Sequence, residues 1–173
     1  SEIELYKKTA KQRNHLLTPK ALIRYAPGHM RREDNGARLN HLNVFGLDRL
    51  NTNNNFESGL STTVGFDYKM TNPENEFNFS IGQIINEKEN KDMPDSSSLN
   101  EKLSDVVGNA NLDINKNINL NYNFSLDQNF NDLNYNELGA SFDLNPIKFD
   151  FNYLQEKKHM GDQEYVKANV NFL

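Results

Sequence analysis

Two stretches of this chain alternate apolar and polar residues without a break, and a period of two leaves few folds open. From Phe56 to Met70 the even positions read Phe56, Ser58, Leu60, Thr62, Val64, Phe66, Tyr68 and Met70, against Glu57, Gly59, Ser61, Thr63, Gly65, Asp67 and Lys69 at the odd ones. From Ile118 to Asp127, Ile118, Leu120, Tyr122, Phe124 and Leu126 alternate with Asn119, Asn121, Asn123, Ser125 and Asp127. Successive side chains on a strand point to opposite faces, so each stretch makes one apolar and one polar face. On a helix the same apolar residues would be scattered around the circumference and would bury asparagine with them, at a cost in free energy.

Weaker copies follow: Phe77, Phe79, Ile81; Val106, Ala110, Leu112, Ile114; Leu138, Ala140, Phe142, Leu144; Ile147, Phe149, Phe151, Tyr153; and Val166, Ala168, Val170, Phe172. An earlier run, Leu17 to Ala26, sets Ala21, Ile23 and Tyr25 opposite Lys20 and Arg24. Together they predict about eight strands. The connections alternate in length. Thr71 to Asn75, Asn115 to Asn117 and Asn145-Pro146 are short, whereas Pro27 to Asn55, Asn86 to Leu103, Gln128 to Asp132 and Gln155 to Gln163 are longer. Followed strand by strand, the short turns fall at one end of the sheet and the long loops at the other, the asymmetry of a transmembrane barrel. Residues 1–16 fit less well and are read as either a strand or a lead-in; residues 1–173 are otherwise one continuous segment.

Composition decides between environments. Hydrophobic residues are 36% and mean hydropathy is -0.82, thin provision for a dry core, yet 11 Phe and 7 Tyr argue against disorder. No stretch approaches 18 apolar residues, so no transmembrane helix is expected. In lipid every backbone N–H and C=O must be paired within the protein, which a closed sheet achieves. The expectation is therefore an all-β fold of antiparallel up-and-down transmembrane β-barrel strands, about eight of them, forming an arc of a larger barrel.

Its apolar face would meet lipid through Leu60, Val64, Phe66, Phe79, Ile81, Leu120, Tyr122, Phe124, Phe142, Phe149 and Phe151. Asp67, Lys69, Asn119, Asn121 and Asn123 would line a watery lumen. With no Trp in the chain, Tyr25, Tyr68, Tyr122 and Tyr153 are the candidates for an interfacial belt. Two other architectures compete: a complete small eight-stranded barrel, and a soluble Asn-rich β-sandwich that binds glycans or partners.

Chemistry beyond transport finds little support. A net charge of -5 and the absence of a Lys/Arg stripe remove the basis for binding nucleic acid. There is no cysteine, no Gly-x-Ser-x-Gly elbow, and His15, His29, His41 and His159 lack ligand spacing. No catalytic residue, no metal ligand and no cofactor is proposed. The acidic loop with Glu87, Glu89, Asp92 and Asp95 lacks the calcium-loop pattern and reads as solvated, with divalent-ion binding the minor reading. Arg31 and Arg32 could meet lipid phosphates, though adjacent Glu33 and Asp34 offer local pairs.

Several segments, in order, resemble the C-terminal barrel domain of the lipopolysaccharide-assembly outer-membrane family LptD, also called organic solvent tolerance protein. They are Leu17-Thr18-Pro19-Lys20-Ala21 with Arg24-Tyr25 and Pro27-Gly28, then Asn43 to Leu50 leading into Phe56-Glu57-Ser58-Gly59. Phe79 to Gln83, Lys91-Asp92-Met93-Pro94, Ser104 to Gly108, Leu120-Asn121-Tyr122 and Leu133 to Asn136 continue the similarity. The resemblance implies part of the outer-membrane lipopolysaccharide translocon of a Gram-negative bacterium, inserting lipopolysaccharide into the outer leaflet, and not an enzyme. It further implies a much larger barrel, with lipopolysaccharide, outer-membrane lipids, a plug lipoprotein and periplasmic bridge proteins as partners. The resemblance assigns the lateral opening of such a barrel to no particular residue here.

Overall fold

The computed structural model describes residues 4–9, 12–50, 52 and 54–172. It is all-β apart from one short 3-10 turn, with nine strands in a single sheet: β1 (Leu5–Thr9), β2 (Arg13–Ala26), β3 (Gly59–Thr71), β4 (Asn75–Asn86), β5 (Val106–Ile114), β6 (Ile118–Leu126), β7 (Leu133–Leu144), β8 (Ile147–Glu156) and β9 (Gln163–Phe172). Spatial order follows chain order, every neighbouring pair is antiparallel, and β1 and β9 are open edges among the described residues. The expected up-and-down antiparallel architecture is thus present as an unclosed sheet.

A sandwich would need a second sheet over the apolar face. Among the described residues there is one sheet, and its apolar side chains stand exposed, Ile23 by 74% and Phe172 by 79%. The count is nine instead of about eight because residues 5–9 and 13–16, where the sequence leaves a lead-in open, are strand; residues 1–3, 10 and 11 lie outside the described residues. β3 starts at Gly59, three residues later than the alternation from Phe56 suggests, because Glu57 is drawn into a buried ion pair described below.

The register shows why the period of two holds across strands. Val64 faces Ala21 and Gln83, Phe66 faces Pro19 and Ile81, and Leu120 faces Leu112 and Ala140. Aromatic pairs tie neighbouring strands on that face, Phe66 with Phe79 at 5.9 Å and Phe142 with Phe149 at 6.2 Å between ring centroids. The short turns have local causes. In the β3–β4 turn the Asn72 side-chain oxygen accepts from the backbone N–H groups of Glu74 (2.9 Å) and Asn75 (2.7 Å), an Asx turn. In the β5–β6 turn Asn115 sits at φ 52°, a left-handed position that Asn tolerates.

The long β2–β3 and β4–β5 connections do not extend away from the sheet as solvated loops. They fold back onto its polar face and make a small apolar core: Met30, Leu39, Val44 and Leu50 from the first and Met93 and Leu99 from the second, packed on Ile84 of β4 and Val107 of β5. Ile84 and Val107 are the polar-face positions of their strands by register, so the core lies on the side opposite the apolar sheet face. The acidic side chains Glu87, Glu89, Asp92 and Asp95 of the Asn86–Leu103 loop are exposed, as its solvated reading expects, but the loop as a whole is seated on the sheet through Met93 and Leu99.

Candidate functional site

The polar face carries the candidate site, built in two tiers. Along β5 to β8 runs a ladder of amides and carboxylates that hydrogen-bond sideways. The Asn109 side-chain N–H donates to Asn123 Oδ1 (2.7 Å), Asn119 to Asn111 Oδ1 (3.1 Å) and Asp113 Oδ1 (2.6 Å), and Asn123 to Glu137 Oε2 (2.9 Å). Ser141 donates to Asp150 Oδ1 (2.6 Å) and Tyr135 to Glu137 Oε2 (2.9 Å). Apart from the buried Tyr135, these groups are half-buried and keep unused donor and acceptor capacity, so the ladder is a wettable surface that can exchange hydrogen bonds with hydroxyls.

The second tier is the pair of inturned connections, held at three points. At the root, Arg49 Nε donates to Glu57 Oε2 (2.7 Å), its Nη2 donates to Glu57 Oε1 and to Ser61 Oγ (3.0 Å), and Arg24 of β2 reaches the Glu57 carbonyl and the Leu47 carbonyl. All three charged residues are buried, Arg49 to 1% exposure. A bidentate guanidinium–carboxylate pair is the geometry that makes such burial tolerable.

In the middle, Val44 and Phe45 sit over Gly82, where an added Cβ would come within 3.0 Å of Val44 Cγ1 and 3.1 Å of the Phe45 ring. Thr63 Oγ1 donates to the Val44 carbonyl (3.3 Å) and Lys20 Nζ lies 5.7 Å from the Phe45 ring centroid. At the far end, Arg38 crosses to β7 and β8. Its guanidinium carbon stands 3.3 Å from the Tyr135 ring centroid and its Nη1 donates to Glu156 Oε2 (2.6 Å). Lys158, after β8, pairs with Glu101 (3.4 Å) and Asp105 (3.7 Å), and Asp105 accepts from Ser125 (3.0 Å) and Asn134 (2.7 Å).

The residues singled out from the sequence sort by face. Leu60, Val64, Phe66, Phe79, Ile81, Leu120, Tyr122, Phe124, Phe142, Phe149 and Phe151 share the apolar face by register, and Asp67, Lys69, Asn119, Asn121 and Asn123 share the polar one. Asn119, Asn121 and Asn123 join the ladder, whereas Asp67 pairs with Lys20 and Lys69 with Glu76 (2.7 Å), outside it. Of the belt candidates, Tyr122 sits mid-strand on β6 and not at an end. Arg31 and Arg32 lie at the entry to the first connection, where Arg32 pairs with Asp34 (3.0 Å), which raises its pKa. No group of three or more His, Cys, Asp or Glu side chains that could hold a metal ion occurs among the described residues. Arg24, Arg38, Arg49, Glu57, Tyr135 and Glu156 were not singled out. The sequence marks only the apolar core between them, through the paired residues Ile84-Ile85 and Val106-Val107, which put an apolar side chain on a face otherwise polar.

His41 gives this tier a pH response. It is half-buried in the first connection, and burial lowers its pKa below the ordinary histidine value, only partly offset by Glu137. The unfolded segment therefore takes up a proton before the folded one does, and stability falls as pH drops through about 6.5. Protease cleavage of the connection should speed up between neutral and mildly acidic pH, and His41→Asn should flatten that dependence.

No curated protein matches the chain. The family described as LptD, LPS transport system D, matches residues 1–172. The chain belongs to the LptD family. LptD proteins act in lipopolysaccharide transport and assembly at the outer membrane of Gram-negative bacteria, with lipopolysaccharide as their substrate and the transport system as their partners. An LptD wall of nine antiparallel strands with one apolar and one polar face is consistent with that setting, and none of the described helical residues could span a membrane.

Proposed function

We propose that this chain is one continuous wall segment of the outer-membrane lipopolysaccharide translocon, which inserts lipopolysaccharide into the outer leaflet. The observation that carries the reading is the family match over residues 1–172. The two-faced sheet supports it. In this assignment Val64, Phe66, Phe124 and their neighbours face the acyl chains of the membrane, and the amide ladder of β5 to β8 faces a hydrated lumen through which the saccharide moves. A plug lipoprotein in that lumen and periplasmic bridge proteins complete the machine. The protein works by binding and release, not by catalysis.

The test is a photo-crosslinking residue in place of Asn121 in living cells. Adducts with lipopolysaccharide should form while transport runs and fade when lipopolysaccharide synthesis is stopped. An Asn121 position that forms no adduct during active transport would defeat the reading.

A further inference from the structure

The two inturned connections hold the sheet by different chemistry on its two sides. Toward β3 to β5 the seat is largely apolar: Ile84 and Val107 are the strand residues of the core, Val44 and Phe45 cover Gly82, and Thr63 lies beneath them. Toward β6 to β8 the contacts are polar. They are Arg38 with Glu156 and the Tyr135 ring, Lys158 with Glu101 and Asp105, and Asp105 with Ser125 and Asn134.

Lifting the first side would return apolar surface to water, which is costly. Parting the second frees Arg38 and Lys158, whose side chains already retain 27% and 26% exposure, and lets the buried carboxylates of Glu156 and Asp105 take up water in place of their cations. Unequal attachment of this kind defines a hinge and a clasp. The first connection also spans the polar face from β3 to β8, so anything moving along the amide ladder toward the loop end of the strands meets it.

We infer that the β2–β3 and β4–β5 connections form one lid, hinged on β3 to β5 and clasped to β7 and β8 through Arg38, and that the clasp opens when lipopolysaccharide passes. The passage step rests on the function proposed above; the hinge and clasp rest on the contacts alone. Closed, Arg38 bridges Glu156 and Tyr135 and the lid crosses the ladder. Open, Arg38 and Glu156 are hydrated separately while Val44, Phe45 and the apolar core stay seated.

This chain has no cysteine of its own, so Arg38→Cys with Glu156→Cys adds the only two thiols of the segment, one on each side of the clasp. In cells the reduced double variant should deliver lipopolysaccharide to the surface. Oxidation, or a short bismaleimide, should lower delivery about tenfold if opening is required for each passage, with reductant restoring the disulfide-linked form. Leu138→Cys with Tyr153→Cys, directly paired on β7 and β8 on the apolar face, bridges the sheet without touching the lid or the amide ladder and should have no effect.

Undiminished delivery by the cross-linked clasp overturns the inference, and so does equal loss from the control bridge. Arg38→Ala supplies an independent arm: trypsin should cut the first connection several-fold faster while the strands stay protected. An unchanged cutting rate overturns the clasp even if lipopolysaccharide passage is established by the Asn121 adducts. Faster cutting without any Asn121 adduct would instead keep the clasp and defeat the transport reading.

Discussion

Val64→Arg should destabilise the membrane-inserted sheet by about 2–4 kcal/mol, the cost of a guanidinium on the lipid side near mid-bilayer depth. Val64 lies near the middle of β3 on the apolar face, between Ala21 and Gln83, and is 40% exposed. The comparison that gives this value meaning is Asn121→Arg. Asn121 is on the opposite face of β6 beside Gly139, whose lack of a side chain leaves room, so a long cation can reach water there at little cost. Thr63→Arg looks like the natural control from the sequence, one residue away and on the polar face. The structure disqualifies it, because Thr63 is 1% exposed beneath Val44 and an arginine would have to displace the lid. Unfolding of the lipid-embedded protein in denaturant, followed by the loss of heat-modifiable gel mobility, reads all three. Equal effects at Val64 and Asn121 would contradict the facing of the sheet.

The second large effect is expected at Glu57. Removing its carboxylate in Glu57→Ala leaves Arg24 and Arg49 as neighbouring buried cations without a counter-charge, which should cost about 3–5 kcal/mol. The loss should fall on the root of the lid first, and limited proteolysis under rising urea would show the first connection cut at lower denaturant while the strands hold. The paired replacement Arg49→Met with Glu57→Leu removes both charges of the bidentate pair and should be milder than Glu57→Ala alone, since it leaves one buried cation, Arg24, without its counter-charge instead of two. A double variant as unstable as the single one would mean that shape at this position matters more than charge.

The strands were legible because alternation reports facing directly. The Ile118–Asp127 run matches β6, Ile118–Leu126, to within one residue, and the apolar positions named on β3, β4, β6, β7 and β8 share one face. Where alternation and pairing part company, another force intervenes: Phe56 to Ser58 keep the pattern, but Glu57 answers to Arg49 and the strand begins only at Gly59. Connections have no period to read. Their length and polarity suit a solvated loop as well as one folded inward, and the choice is made by scattered single residues, Leu39, Leu50, Met93 and Leu99, that find one another only in three dimensions. The doubled apolar pairs Ile84-Ile85 and Val106-Val107 were the available hint, because a strand wet on one side has no use for an apolar residue there. Arg49 and Glu57 carry no such mark, since eight residues of sequence separation says nothing about burial.

The contact between Arg38 and Glu156 also sets an order of events. Each strand pairs only with its neighbours in sequence, so the wall can assemble hairpin by hairpin through short-range closures. Arg38 has to wait for a partner 118 residues further on. The first connection can be synthesised, and its root and apolar seat formed, while its far end stays undocked until β8 arrives. Protection of that far end is therefore a timer on assembly, one that reports when eight strands have been laid side by side in register.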